Sequence, residues 1–205
     1  MKRLAHVVLL AVHAGALAGP AQSASLRSSA ALARELAASR RARATLRYEA
    51  PALPGAVVRT RSGTLTLEAP DRVRLDLTGT AERLVARGDG GEWLQPATRQ
   101  LLRFGPRQVS PALRWWRVLL GDTAGVRERR SGPNRYVLAL AGPGVGIADS
   151  ATVWLDARGL PERLRVHDGD DGTIYRLSDW RFARAEGLEA FRLEAPAGYE
   201  TVDIR

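Results

Sequence analysis

The sequence predicts a mainly β fold of the α+β kind, one large curved antiparallel sheet with helices against its concave side. Three observations carry this. Gly63 to Phe104 alternates apolar and polar residues in short runs separated by turn residues, as strands with one apolar face do. The same alternation resumes from Gly125 and continues to Glu194. Only two segments of the chain have helical punctuation and periodicity, so the sheet must supply most of the core.

In chain order, residues 1–24 open with Lys2 and Arg3, continue through an apolar run from Leu4 to Leu17, and end in small residues around Gly19 to Ala24. This is the pattern of a secretory signal peptide, with cleavage expected near residues 21–25, leaving one domain over 25–205. The apolar run is shorter than the roughly 20 residues a membrane-spanning helix needs. The chain has no cysteine, which removes a disulfide scaffold, a thiolate metal site and an acylated lipobox cysteine together. The expected product is an exported, anchor-free domain whose stability rests on its core. Lys2 is the chain's single lysine, and loss of Lys2 and Arg3 lowers the formal net charge from +9 to +7. The arginines are dispersed among acids, as in Arg127-Glu-Arg-Arg130 and Arg163-Leu-Arg165-Val-His-Asp168, without a run of five or six like charges. No nucleic-acid arm is expected.

Ser25 to Arg43 reads as the first helix, with Ser28 or Ser29 as cap, Leu32 and Leu36 four apart, and arginines in its last turn. A strand around Thr45 to Tyr48, a break at Pro51 to Gly55 and a run from Val57 to Glu68 follow. Leu65 and Leu67 share one side of that run, and Val73, Leu75 and Leu77 one side of the next, with Arg72, Arg74 and Asp76 opposite. Ser110 to Gly121 is the second helix, since Ser at the cap, Pro in the first turn and Gly past the end are the expected punctuation. Leu113, Trp116, Leu119 and Leu120 line one face of it. Trp115 and Trp116 point about 100° apart, which predicts one core tryptophan and one at the rim. Strands then follow at Arg135 to Ala141, Ala151 to Asp156, Glu162 to Asp168, Thr173 to Phe182 and Phe191 to Glu194, roughly ten in all. Asp156 to Gly159 and Asp168 to Gly172 have the composition of hairpin turns between them.

No motif carries recognisable chemistry. His167 is the one histidine outside residues 1–24, so neither a His/Cys metal site nor a serine triad can be assembled beyond what it alone supports. The cluster Asp168-Gly-Asp-Asp-Gly172 resembles the start of a calcium loop, but the twelfth position is Asp179 rather than Glu, and a tight turn is the expectation. Gly142 to Gly146 lacks a phosphate-binding lysine and is read as a loop. No enzyme activity and no cofactor are expected.

The order of the motifs resembles the LolA family of outer-membrane lipoprotein carriers. The resemblance rests on Gly63-x-Leu-x-Leu-x-x-Pro70-x-x-x-Arg74, Asp89-Gly-Gly-Glu-Trp93, Gln100, Ser110-Pro111 and Leu119-Leu-Gly-Asp122. It continues with Val153-x-Leu-Asp156-x-x-Gly-Leu-Pro161, Trp180-Arg-Phe182 and Phe191-x-Leu-x-Ala-Pro196-x-Gly198. It implies a half-barrel of about eleven antiparallel strands, closed by lid helices over an apolar cavity for the acyl chains of lipoproteins. It also implies a periplasmic monomer that takes acylated lipoproteins from an inner-membrane release complex to an outer-membrane receptor or the outer membrane. The candidate cavity and lid residues are Leu65, Leu67, Val73, Leu75, Leu77, Trp93, Leu113, Trp116, Leu119 and Leu120. Where the family carries an arginine before its first proline this chain has Ala69, with Arg72 and Arg74 nearby as candidates for a transfer or lid role. Two alternatives stand beside the carrier: another periplasmic lipid or glycolipid binder or envelope-stress sensor on the same fold, and an enzyme using scattered carboxylates.

Overall fold

The structure, a computed structural model, describes residues 26–50, 59–106, 111–140, 150–168 and 171–204. The signal segment, the Pro51–Gly55 break, the Ser110 cap and the Gly142–Gly146 loop lie outside the described residues. Helix α1 is Ala30–Ser39, followed by strands β1 Arg41–Ala50, β2 Arg59–Glu68, β3 Arg72–Leu77, β4 Arg83–Arg87, β5 Gly90–Gln95 and β6 Gln100–Phe104. Helix α2 is Pro111–Leu120, and then come β7 Val126–Gly132, β8 Arg135–Leu140, β9 Ser150–Leu155, β10 Pro161–Asp168 and β11 Asp171–Ala183. A 3-10 turn at Leu188–Phe191 precedes β12 Glu200–Ile204. All twelve strands form one curved sheet in the order β12-β6-β5-β4-β3-β2-β1-β11-β10-β9-β8-β7, with β12 and β7 as its open edges.

The strands depart from the sequence reading in two places. Residues 192–194 do not form a strand, and β7 and β12 are strands the sequence reading did not list. β12 adds to β6 in parallel, so the sheet is antiparallel everywhere except at this edge. Strand β12 is mostly exposed, so burial leaves no apolar signature along it.

Register sorts the side chains to two faces. Ala42, Ala44 and Leu46 of β1 stand opposite Leu67, Leu65 and Gly63 of β2, which stand opposite Val73, Leu75 and Leu77 of β3. Leu46 and Tyr48 stand opposite Leu177 and Tyr175 of β11. Directly opposed residues in an antiparallel pair share a face, so these rows are continuous across the sheet. Both helices pack on this concave face, α1 against β1 and β11 and α2 against β2, β3 and β10, and they touch each other. Their buried residues and the concave rows form one core.

Helix α1 is shorter than its sequence suggests. Arg40 adopts the left-handed conformation (φ 75°) and ends it, and Arg41 and Arg43 belong to β1 rather than to the last helical turn. Neither serine caps it through its side chain. Ser29 occupies the N-cap position without such a bond, while the Glu128 carboxylate on β7 accepts from the backbone N–H groups of Arg27 (2.9 Å) and Ser28 (2.8 Å). A carboxylate also suits the positive end of the helix. Helix α2 matches its prediction, with Pro111 in its first turn and Gly121 at φ +112° just past its end. Both tryptophans are core, however, at 1% exposure for Trp115 and 0% for Trp116. The helix is enclosed by the sheet and by α1, which leaves no rim position for Trp115.

On the convex face, the segment that follows β11 is tied to strands β2 to β5 by charged side chains. The Glu68 carboxylate is 0% exposed; it accepts from the backbone N–H groups of Glu186 (2.7 Å) and Gly187 (3.3 Å) and pairs with Arg72. Arg74 donates to the carbonyl of Ala190 (2.6 Å) and Arg87 to that of Phe191 (2.7 Å), while Glu92 accepts from the Leu193 N–H (2.6 Å). Phe191 is fully buried beneath this belt, and Leu193 joins Val85, Leu94 and Leu101 in a second small core. A buried carboxylate is tolerated when each lone pair meets a donor. Replacement Glu68→Ala leaves Arg72 and two backbone N–H groups without their acceptor, so urea unfolding should show a loss of about 3 kcal/mol. Limited proteolysis should then cut first at Arg184 or Arg192.

Candidate functional site

The helices do not fill the concave face. Beyond α2, between β1, β3 to β6 and β11, lies a cavity of about 370 Å³. That is within the roughly 300–1,000 Å³ of ordinary ligand pockets. Its wall is built from the concave rows: Leu46 and Tyr48 on β1, Leu75 and Leu77 on β3, Leu84 on β4, Trp93 on β5, Leu102 and Phe104 on β6, and Tyr175 on β11. Leu113 enters from the first turn of α2, and Ile204, 42% exposed, stands at the β12 edge. Glu82, Arg83 and Thr173 supply the polar part of the lining.

Local sequence explains the shape of this wall. Gly91 lies opposite Phe104 in the β5–β6 ladder, and a Cβ there would fall 2.5 Å from Phe104 Cζ and 2.3 Å from the Val85 carbonyl oxygen. Only glycine lets the Phe104 ring lie across that strand. Leu84, Trp93 and Leu102 are one lateral row of partners, each half-buried because no helix covers them.

At one rim, Arg61 reaches Glu82 at 2.7 Å, and its guanidinium carbon is 6.0 Å from the centre of the Tyr48 ring. Tyr48 is 5.8 Å from Tyr175, whose ring meets that of Trp116 edge-on at 5.0 Å. Trp116 Nε1 is buried without a hydrogen-bond partner among the described residues. Burial raises the pKa of both tyrosines, most strongly that of Tyr175, and Arg61 partly offsets the effect at Tyr48. The aromatic cluster therefore presents neutral, weakly polar hydroxyls to an otherwise apolar space.

Four of the predicted cavity residues line this space: Leu75, Leu77, Trp93 and Leu113. Leu65, Leu67, Val73, Trp116 and Leu119 are all 0% exposed in the core and do not line it, because α1 and α2 sit directly on their part of the sheet. Leu120 is half-buried and packs on the same core. Leu46, Tyr48, Leu84, Leu102, Phe104, Tyr175 and Ile204 were missed. The alternation of β1, β6 and β11 identified their face, but not which part of that face the helices leave bare.

Arg72 and Arg74 do not face the cavity. They alternate with Val73 and Leu75, so they project from the convex face, where Arg72 pairs with Glu68 and lies 6.0 Å from the Phe191 ring centre and Arg74 grips Asp76 and the Ala190 carbonyl. Their role is to hold the C-terminal segment. The position before Pro70 is backbone-bound as well, since the Ala69 N–H donates to the Arg40 carbonyl at 2.9 Å, beside the end of α1. Among the described residues no group of three or more His, Cys, Asp or Glu could hold a metal ion. His167 is half-buried on the convex face, its Nε2 3.1 Å from Thr152 Oγ1, and burial followed by the Arg165 charge lowers its pKa.

The raised tyrosine pKa values fix the direction of an alkaline transition. The folded state holds these phenolic protons above the ordinary value near 10, whereas the unfolded chain releases them there, so stability present below pH 10 falls as pH rises beyond it. Ultraviolet titration of phenolate should show two tyrosines ionising late, and Tyr175→Phe should remove the later one.

No protein-family model and no curated protein matches this sequence. Solved structures do. An uncharacterised conserved protein from Thermus thermophilus is 14% identical, with 86% of this chain and 97% of that chain covered at a TM-score of 0.50. A LolA superfamily protein from Nitrosomonas europaea is 11% identical, with coverage of 80% and 97% and a TM-score of 0.42. The lipoprotein LppX of Mycobacterium tuberculosis is 14% identical, with coverage of 78% and 95% and a TM-score of 0.40. The chain's neighbours among solved structures thus include LolA-like proteins, and its likeness to the Thermus protein is one of fold.

Proposed function

We propose that the chain binds acyl chains in the cavity beside α2, as a periplasmic carrier of acylated lipoproteins. The observation that carries this reading is the chemistry of the wall: Leu46, Leu75, Leu77, Leu84, Trp93 and Leu102 converge on one space, with polar groups confined to Glu82, Arg83, Thr173 and the two tyrosines. Each methylene moved from water into such a space gains about 0.8 kcal/mol, enough for a chain of ordinary length to be held firmly without hydrogen bonds. In this reading the protein carries the acyl chain and does not cleave it.

The periplasmic placement rests on the signal-like residues 1–24, and the lipoprotein cargo on the motif order that resembles the LolA carriers. Cargo transfer from an inner-membrane release complex to an outer-membrane acceptor belongs to the same reading. The open side of the cavity supports it, because a carrier must release what it binds.

A fluorescent fatty acid should bind the purified chain with one site per molecule and be displaced by unlabelled fatty acid. Leu77→Asp places a carboxylate in the wall at a half-buried position where folding tolerates it, and should weaken binding at least tenfold. Wild-type affinity in that variant would remove the cavity from consideration. Cargo is tested separately, by adding the protein to spheroplasts that hold a radiolabelled lipoprotein in their inner membrane. Release into solution is expected; fatty-acid binding without release would instead identify a binder of other lipids.

A further inference from the structure

The convex face of the other half of the sheet carries arginines that the fold has separated from the acids interleaved with them in sequence. In one lateral row, Arg47 of β1 stands beside Arg176 of β11, then Arg163 of β10, Trp154 of β9 and Arg135 of β8. Five strands at about 4.8 Å make this row roughly 19 Å long. Arg43 lies four residues before Arg47 on β1, across a bulge, Arg165 is next on the same side of β10, and Arg127 and Arg129 end the face on β7.

The acids are disposed of elsewhere. Glu128, between Arg127 and Arg129, turns to the concave side and holds the start of α1. Asp156 is used in its own turn, accepting from the N–H groups of Arg158 and Leu160. Glu49 neutralises Arg176 alone, at 3.3 Å, and the other exposed acids nearby, Glu162 and Asp179, sit at irregularities of β10 and β11. Arg43, Arg47, Arg127, Arg129, Arg163 and Arg165 make no ion pair among the described residues. The Nε atoms of Arg163 and Arg165 are buried without a hydrogen-bond partner there, and the Arg163 guanidinium stacks 4.5 Å from the Trp154 ring centre.

We propose that this arginine row and its flanks dock on the anionic phosphate groups of a phospholipid surface. Guanidinium groups bind phosphate bidentately, and a tryptophan among them suits the boundary between headgroups and acyl chains. The groups form a broad stripe across five strands. Laterally mobile phosphates can match such a stripe, whereas a folded acidic partner would need a fixed pattern of carboxylates. A convex sheet also meets a flat bilayer along a stripe. The cavity lies on the opposite face, so this docking does not depend on what the cavity holds.

The test is flotation of the purified chain with phosphatidylglycerol vesicles and with phosphatidylcholine vesicles. Binding to the anionic vesicles should be strong at low salt, fall steeply with added salt, and be absent on the neutral ones. Each arginine near an anionic surface strengthens partition by about fivefold. The variant R43Q/R47Q/R127Q/R129Q, altered at exposed positions, should therefore lose about five- to six-hundredfold in partition while keeping its affinity for the fluorescent fatty acid. Equal flotation with both vesicles, or unchanged partition of the variant, overturns the proposal. So does soluble polyglutamate that binds this face more tightly than the vesicles do, which would identify an acidic protein as its occupant.

Discussion

Two ten-residue helices cannot cover the concave face of a twelve-stranded sheet. Each of α1 and α2 is about 15 Å long, whereas the ten-residue strands β1 and β2 run about 33 Å and twelve strands span on the order of 50 Å laterally. Whatever the helices touch becomes dry core, and whatever they miss must stay open or be filled by something else. The covered part is Leu65, Leu67, Val73 and their neighbours beneath Trp115, Trp116 and Leu119. The uncovered part is the row from Leu84 to Leu102, and it forms the cavity wall. The cavity follows from the mismatch between helix length and sheet width.

An open cavity needs a wall that keeps its shape without packing on one side. The convex belt supplies that support. Glu68, Arg72, Arg74, Arg87 and Glu92 fasten residues 186–193 across the back of β2 to β5, behind the strands whose front faces are bare. The bonds are charge-assisted and several are partly shielded from water, so they hold the strands in register more firmly than surface pairs would. An uncovered front and firm bracing behind would suit the container proposed above, which admits and releases an apolar chain.

Much of this was legible in the sequence, because alternation alone assigns a face to each residue of a strand. The sheet and the concave rows of β2 and β3 are written in that period, while both helices show in their four-residue apolar spacing and end signals, among them Gly121 after α2, and the turn at Asp156 shows in its Asp and Gly residues. Three things were not. The C-terminal strand β12 lies exposed at an edge and has no buried face to leave a pattern. Arg72 and Arg74 were placed correctly opposite Val73 and Leu75, yet their partners Glu68, Phe191 and Ala190 come from positions that only folding brings together. The extent of the cavity depends on where α1 and α2 come to rest, and no local pattern records that.

The same alternation couples the three surfaces. A slip of one residue between β2 and β3 would turn Leu75 outward into the belt and Arg74 inward among Leu65 and the core, so cavity and bracing would be lost together. On β7 a slip would turn Glu128 out to the convex face and Arg127 and Arg129 in to the concave one, removing the clamp on α1 and putting a negative charge where the stripe had two positive ones. Glu128 is thus both an anchor for the turn that leads into α1, 100 residues away, and a negative charge withheld from the arginine face. A face-by-face reading of charge, rather than the net charge of the chain, is what separates a stripe built by the fold from a composition that merely favours arginine.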